Sequence, residues 1–145
     1  MVGLAEVYTA GYTMGQVAVV TGAADGLGNA FARRFAANDY QVVVADINDA
    51  AGAALVESLR GQGRPAIYQH CDVTQKDQVE SLVAHTLQRF GSIDVLINNA
   101  VPPGGLGPIE EKTDAEFQRQ LDGSFFAARW AMNAAFASMK ANGFG

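Results

Sequence analysis

Three glycines with fixed spacing stand at the start of a candidate helix, in the segment Thr21-Gly22-Ala23-Ala24-Asp25-Gly26-Leu27-Gly28. Gly22 permits a tight turn that a Cβ would hinder, and Gly26 allows the backbone to come close to a ligand. Gly28 allows the helix to pack against the strand before it. The amide groups and the positive dipole end at residues 26–29 would face an anion. The chemistry that this spacing predicts is the binding of a pyrophosphate.

A carboxylate that could bind a ribose follows at Asp46, directly after the apolar residues 42–45. A carboxylate in this place accepts hydrogen bonds from ribose hydroxyls and repels a 2′-phosphate. Asp25 adds negative charge inside the glycine loop, and no Lys or Arg occurs between Met1 and Arg33. These charges favour NAD over NADP as the ligand. The alternative for Asp46 is a strand-end cap or a turn residue.

Two further motifs follow in order, Cys71-Asp72-Val73 and Asn98-Asn99-Ala100. Together with the glycine loop and Asp46 they resemble the short-chain dehydrogenase/reductase family in order and spacing, and the resemblance extends from Gln16 to Gly145. It implies an NAD(H)-dependent oxidoreductase that passes a hydride between nicotinamide C4 and the carbinol carbon of an alcohol or ketone substrate. A keto-acyl thioester, a sugar, a steroid and a small secondary alcohol all remain open as substrates.

The resemblance also assigns residues to the cofactor. It implies that Asp72 contacts the adenine amino group and that Val73 lies against the ring, although Asp72 could instead be a turn residue before Thr74. It implies that Asn98 braces the central sheet. Val101 stands where the family has glycine, so we expect the loop there to differ. The full set of predicted cofactor-binding residues is Gly22, Ala24, Asp25, Gly26, Leu27, Gly28, Asp46, Ile47, Cys71, Asp72, Val73, Asn98, Asn99 and Ala100.

The catalytic groups of the family have no match in the chain. Hydride transfer there depends on a Tyr acid/base, a Lys four residues later that lowers the pKa of the phenol, a Ser that binds the carbonyl and an Asn on a long helix. No tyrosine has a lysine four residues later, whether Tyr8, Tyr12, Tyr40 or Tyr68. Ser124 stands at the place of the Asn and could hold a water. The alternative is that Ser124 is a helix residue without a catalytic role. We expect the catalytic Ser, Tyr and Lys to lie beyond Gly145, and residues 1–145 alone to be inactive.

Strands and helices alternate four times along the sequence. Apolar runs predict strands at residues 17–20, 42–45, 66–71 and 93–97, and the helices that follow them end near residues 38, 61, 90 and 141. This alternation predicts a three-layer α/β/α, Rossmann-like, doubly wound parallel sheet. We expect the strand order 3-2-1-4, truncated before strand five.

Apolar spacing and caps give each helix an expected face. The first helix carries the stripe Leu27, Ala30, Phe31 and Phe35, and the last carries Phe117, Leu121, Phe125 and Ala128. Thr113 with Glu116 forms a capping box, and Thr74 with Asp77 forms a weaker capping pair. The resemblance implies that the 113–141 helix packs against its copy in a homo-oligomer. The alternative is that its aromatic residues are core, and exposure separates the two.

Composition excludes several classes of function. The net charge of −5 argues against nucleic acid or an anionic membrane surface as a partner. Residues 1–15 lack the pattern of a signal peptide and predict a flexible N-terminal arm, whereas residues 16–145 predict one NAD-binding domain. The single cysteine, Cys71, fits a reducing compartment, and without a membrane-spanning run we expect a cytoplasmic protein. His70 and His85 lack the spacing of metal ligands, so we expect no metal site.

Two other classes of function stay open. The chain could be a binding module that holds a dinucleotide without catalysis. It could also be a structural remnant that self-associates through the edge of strand four and the long helix, because an uncovered strand edge promotes association. Saturable NAD binding by a stable chain would count against the remnant. Turnover by residues 1–145 would count against the binding module.

Overall fold

Apolar, β-branched runs form the centre of a parallel sheet. The computed structural model of the protein describes residues 15–104, 107–143 and 145. In it, β1 (Val17–Thr21) lies between β2 (Gln41–Asp46) and β4 (Val95–Ile97), and β3 (Ala66–His70) pairs with β2. All five residues of β1 are buried because helices cover both faces of the sheet. The predicted strand order 3-2-1-4 is confirmed.

Strand β4 is shorter than the predicted 93–97. The carboxylate of Asp94 accepts the backbone N–H of Val17 at 2.6 Å, and the Asp94 amide donates to the Val17 carbonyl at 2.9 Å. A side chain therefore replaces one rung of the ladder, and regular pairing begins at Val95. The buried carboxylate still fixes the register of β4 against β1.

Helices alternate with the strands as predicted. They are α1 (Gly26–Ala37), α2 (Asp49–Gly61), α3 (Lys76–Phe90), α4 (Asp114–Leu121) and α5 (Ala127–Asn142). Helices α1 and α2 cover one face of the sheet and meet Val20, Val42 and Val44. Helices α3 and α5 cover the other face and meet Val17 and Val43. The result is the three-layer α/β/α sandwich expected from the alternation.

The face that α1 turns inward differs from the predicted stripe. Gly28, Ala32 and Ala36 are buried, whereas Leu27 is 72% exposed. A Cβ on Gly28 would lie 1.9 Å from the carbonyl oxygen of Gly22. The helix axis thus runs so close to the strand and turn that only small residues fit between them. Of the larger apolar residues, Leu27 and Phe31 are exposed, whereas Phe35 packs at the margin of the core.

The long helix shows the same inversion. Helices α4 and α5 join through a π-helical turn at Asp122–Phe126, so the predicted helix over 114–141 is present but interrupted. Its buried residues are small: Gly123, Ala127, Ala131 and Ala135. Phe125 and Phe136, in contrast, are 64% and 62% exposed. Of the stripe Phe117, Leu121, Phe125 and Ala128, the two phenylalanines are exposed, whereas Leu121 and Ala128 are half-buried.

One of the two predicted capping pairs is confirmed, because the capping box of Thr113 and Glu116 is complete. At the start of α2, the Asn48 side chain accepts the backbone amide of Ala51. The Thr113 hydrogen bonds hold the pKa of Glu116 below its usual value. The capping pair of Thr74 with Asp77 is wrong, because α3 has Gln75 at its N-cap and no side-chain cap bond.

The arm predicted for residues 1–15 lies outside the described residues, Gly15 excepted. Within residues 15–104, 107–143 and 145, the helices are all too short or too polar to cross a bilayer.

Candidate functional site

The hydroxyl of Thr21 joins the ends of two strands. Its oxygen accepts the amides of Asn99 and Ala100, each at 3.1 Å, and its proton is directed at the carbonyl of Ile97 at 3.3 Å. The carboxyl ends of β1 and β4 are thereby held together at the edge of the sheet where open parallel sheets bind ligands. This role of Thr21 was not predicted from the sequence. Its only signal was a polar residue that ends an apolar run immediately before a glycine.

The amide side chain that braces this junction belongs to Asn99 and not to Asn98. Asn99 Nδ2 donates to the carbonyls of Thr21 at 3.0 Å and of Gly22 at 3.2 Å. Asn98, to which bracing was assigned, is exposed. Because neighbouring residues at the end of a strand point to opposite sides, only one of the two amides can turn toward the glycine loop.

The glycine loop has the geometry that its spacing predicts. Gly22 and Gly26 have φ angles of +62° and +54°, in the left-handed region that favours glycine. A Cβ on Gly22 would also lie 2.9 Å from the Ala100 Cα, so the loop touches the segment after β4 through backbone. The φ angle favours glycine at both positions, and at Gly22 the close contact also excludes a side chain.

Asp25 changes which amides could hold an anion. It is the N-cap of α1, and its Oδ1 accepts the N–H of Gly26 at 2.7 Å. The Asn29 amide donates to the Asp25 carbonyl at 3.1 Å. An anion at this turn would therefore meet the amides of Leu27 and Gly28 rather than the whole predicted range 26–29.

The carboxylate of Asp46 is held in place by two backbone amides. Oδ2 accepts the N–H of Ala24 at 2.9 Å, and Oδ1 accepts the N–H of Asn48 at 2.9 Å. The first bond ties the end of β2 to the glycine loop, which sets the carboxylate beside the predicted anion site. A carboxylate has about four acceptor positions, so oxygen lone pairs remain for hydroxyl donors. Both the cap-like alternative and ligand binding are compatible with this arrangement.

Asp72 shapes its own turn. Its Oδ1 accepts the amide of Thr74 at 2.9 Å and the Thr74 hydroxyl at 2.8 Å. The Asp72 amide donates to Oε1 of Gln78 at 2.8 Å, which anchors the turn to α3. One carboxylate oxygen of Asp72 therefore acts as the alternative predicted, by stabilising the turn before α3. These bonds also explain why the Thr74 hydroxyl does not cap α3.

A pocket of about 500 Å³ brings most of the predicted residues together. Ala24, Gly26, Leu27, Gly28 and Asn98 do not line it. A larger groove of about 670 Å³ at the outer edge of β3 contains none of the predicted cofactor residues. The predicted residues that line the 500 Å³ pocket are Gly22, Asp25, Asp46, Ile47, Cys71, Asp72, Val73, Asn99 and Ala100.

Four further residues line this pocket, Val101, Pro102, Pro103 and Arg119, and of these Arg119 was not predicted from sequence. Arg119 reaches the pocket because α4 is docked over the loop after β4, where Gln120 Nε2 donates to the Pro102 carbonyl at 3.2 Å. A Cβ on Gly123 would lie 2.0 Å from Pro102 Cγ and 3.1 Å from Thr74 Cγ2. The helix therefore sits above the Asp72–Thr74 turn. No local signal marks Arg119, since its place depends on this docking.

Ser124 and Cys71 have less chemical freedom than a free hydroxyl or thiol. The Ser124 hydroxyl donates to the Gln120 carbonyl at 2.5 Å, within the π-helical turn, so its proton is already used. Ser124 borders a crevice of about 10 Å³ with Thr21, Asn98 and Ala100. The Cys71 side chain is 2% exposed, and burial raises the pKa of its thiol to about 11. Neither group has the character of an activated nucleophile.

The family follows from comparison of the whole sequence. The sequence model of the short chain dehydrogenase family matches residues 16–145. The chain belongs to the short-chain dehydrogenase/reductase family. L-fucose dehydrogenase from Oryctolagus cuniculus is 42% identical to it over 108 residues, which cover 74% of this chain and 37% of that relative. Momilactone A synthase from Oryza sativa subsp. japonica is 44% identical over 112 residues, which cover 74% of this chain and 39% of the relative.

Solved structures agree with the assignment to this family. A metagenomic short-chain oxidoreductase in complex with NADP superposes with a TM-score of 0.84 and 28% identity, over 92% of this chain and 61% of that one. A short-chain dehydrogenase/reductase from Burkholderia phymatum in complex with NAD superposes with a TM-score of 0.82 and 30% identity, over 88% of this chain and 45% of that one. The chain spans 37–39% of the length of the two curated relatives above. The Rossmann-like fold and the family are thus established, and both nicotinamide cofactors occur among the neighbours.

Proposed function

We propose that this protein is an NAD(H)-dependent oxidoreductase that acts on an alcohol or ketone, and that the described residues bind the NAD. The observation that carries the preference for NAD is the Asp46 carboxylate, fixed by two amides at the wall of the 500 Å³ pocket. A 2′-phosphate at that place would face a second negative charge at Asp25, whereas ribose hydroxyls would find acceptors. The NADP complexes among the structural neighbours make the opposite choice the main competitor.

Each part of NAD has a suitable counterpart in the described residues. The pyrophosphate would meet the amides of Leu27 and Gly28, and the adenosine ribose would meet Asp46. The adenine would lie over Val73, with Ile47 at its edge and the second Asp72 oxygen as acceptor for its amino group. The nicotinamide end would extend along Asn98, Asn99 and Ala100 toward Ser124. Bound NAD would supply the hydride acceptor at C4, and the residues named here would hold and orient it.

The sequence Tyr-x-x-x-Lys does not occur among the 145 residues. Because the chain spans 37–39% of the length of the two curated relatives above, we propose the oxidoreductase activity for the whole protein. The second candidate, a dinucleotide-binding module without catalysis, is favoured by the lack of a Tyr-x-x-x-Lys sequence. A cytoplasmic location is proposed on the single buried cysteine.

The deciding experiment is calorimetric titration of the complete gene product with NAD and NADP, followed by a dehydrogenase screen with the better ligand. We expect saturable binding, tighter for NAD, and turnover of at least one secondary alcohol. Binding without turnover across sugars, steroids and small alcohols would favour the binding module. Failure to bind either dinucleotide would contradict both candidates.

We also propose a homo-oligomer through the 113–141 helix. Phe125, Met132 and Phe136 recur at helical spacing and are all more than half exposed. These three residues, here called the outer apolar face, present large side chains that the core does not cover. Phe125 and Phe136 are therefore not core residues among the residues that the structure describes. Phe126 and Trp130 are half-buried.

A further inference from the structure

A tyrosine of β3 reaches the turn that carries Asp46. The hydroxyl of Tyr68 lies 2.7 Å from the backbone carbonyl oxygen of Asp46 and 2.7 Å from Oδ1 of Asp49. His70 Nδ1 lies 2.8 Å from the same Asp49 oxygen. Tyr68 and His70 are two residues apart in one strand and therefore share a face of the sheet. The three side chains form a hydrogen-bonded network next to the predicted ribose site.

The ring of Tyr68 packs against α2 at Gly52. A Cβ on Gly52 would lie 2.2 Å from Cε2 of the Tyr68 ring, so the helix passes over the ring where glycine leaves room. The ring thus has a fixed position, and its hydroxyl is delivered to the turn between β2 and α2. Phenylalanine would fill the same space, so the hydroxyl contributes through the hydrogen bonds that it makes at this turn.

The electrostatics keep the phenol a donor. Burial and the Asp49 carboxylate raise the pKa of Tyr68, so the hydroxyl stays protonated at neutral pH. Hydrogen bonds from Tyr68 and His70 hold the pKa of Asp49 below its usual value, so its carboxylate stays charged. The Asp46 carbonyl also accepts the amide of Cys71 at 3.0 Å. The turn is therefore attached to β3 through both backbone and side chain.

We propose that Tyr68 is a positioning residue for recognition of the adenosine ribose. Its hydroxyl, with Asp49 and His70, holds the turn at residues 46–49 so that the Asp46 carboxylate faces the ribose hydroxyls. This inference rests on the proposed function, since it assumes that Asp46 accepts those hydroxyls. It adds residues of the neighbouring strand that do not line the pocket themselves.

The test uses ADP and 2′-deoxy-ADP as probes, with the complete gene product. In the wild type we expect ADP to bind about tenfold more tightly, because a site built to accept a hydroxyl loses a charge-assisted hydrogen bond without it. In Tyr68→Phe, which keeps the ring and removes the hydroxyl, we expect this ratio to fall to about twofold while binding of 2′-deoxy-ADP is unchanged. Asp49→Asn, a surface change, should lower the ratio in the same direction.

Two controls separate positioning from a merely structural role. In an Asp46→Ala background, Tyr68→Phe should no longer change the ratio, because the group it positions is gone. Tyr40→Phe, at a tyrosine that packs edge-on against Phe35, should leave the ratio at its wild-type value. An equal loss of both nucleotides in Tyr68→Phe, or an unchanged ratio in both Tyr68→Phe and Asp49→Asn, would overturn the proposal. A wild type that binds neither nucleotide would instead overturn the proposed function, and this inference with it.

Discussion

Single side chains in this site act through the backbone groups that they already hold. The Asp46 carboxylate accepts the amides of Ala24 and Asn48, and Asp72 accepts two donors of Thr74. Such bonds hold a carboxylate in one orientation, which lowers the entropic cost of binding a ligand. Asp25 has the opposite effect, since it occupies an amide that an anion could have used. Recognition at this scale depends on the hydrogen bonds that remain available.

Removal of the Asp46 carboxylate should reverse the cofactor preference. In Asp46→Ala we expect the dissociation constant for NAD to rise about tenfold or more, because charge-assisted hydrogen bonds of about 1.5–3 kcal/mol are lost. Binding of NADP should become tighter, since its 2′-phosphate no longer faces this charge. Isothermal titration with both dinucleotides measures the change. Glu57→Gln, an exposed change on α2, is the matched control and should leave both constants as they are.

The thiol of Cys71 should be chemically silent in the folded protein. With a pKa of about 11, roughly one thiol in a thousand is ionised at pH 8, so alkylation by iodoacetamide should be far slower than for a free cysteine. The rate should rise about a hundredfold in denaturant, where both burial and the pKa shift vanish. Mass spectrometry of timed aliquots follows the reaction. Fast alkylation of the native protein would contradict the buried position.

At the scale of helices and strands, small residues decide how closely the layers approach. Helix α1 meets the glycine loop through Gly28, and the π-helical turn meets Pro102 through Gly123. Both contacts bring helix backbone near the pocket, and the second also places Arg119 at its wall. Leu27, Phe125 and Phe136 are exposed on these helices, whereas Phe35 and Trp130 are half-buried and pack against the core.

A methyl group at Gly28 should be poorly tolerated. Its Cβ would lie 1.9 Å from a backbone oxygen that cannot rotate away, so we expect Gly28→Ala to lower the free energy of unfolding by about 3 kcal/mol or more. Gly61→Ala is the matched control, because no atom lies within 4 Å of the added Cβ and its φ is not positive. That change should be neutral or stabilise by up to about 1 kcal/mol. Urea unfolding of both variants gives the comparison, and equal stabilities would contradict the packing described.

For the molecule as a whole, the outer apolar face of Phe125, Met132 and Phe136 places three exposed large apolar side chains along one helical segment. Exposed apolar residues in a contiguous patch commonly mark an interface. The face lies on the α3 and α5 side of the sheet, opposite α1 and α2.

The double variant Phe125→Ser/Phe136→Ser should weaken self-association of the complete gene product. We expect the wild type to be a dimer or larger and the variant to shift toward monomer. The reason is that burial of apolar surface stabilises the interface by about 25 cal/mol per Å², and the serines bury less of it. Light scattering after size exclusion measures the mass. Phe31→Ser, a partly exposed aromatic on α1, should not change it. A monomeric wild type, or an unchanged oligomer in the double variant, would contradict the proposed interface.

The sequence by itself determined the elements, the strand order, the family and the position of the pocket. Runs such as 17–20 and the capping box at Thr113 are local signals, because they depend on residues a few positions apart. Only the tertiary structure decided which helix faces turn inward and that Asn99, rather than Asn98, braces the glycine loop. It also brought Arg119 to the pocket and Tyr68 to the Asp46 turn. The physical reason is the same in each case: these contacts join segments far apart in the chain, and their identity is set by the distance of closest approach between layers, which no local spacing encodes.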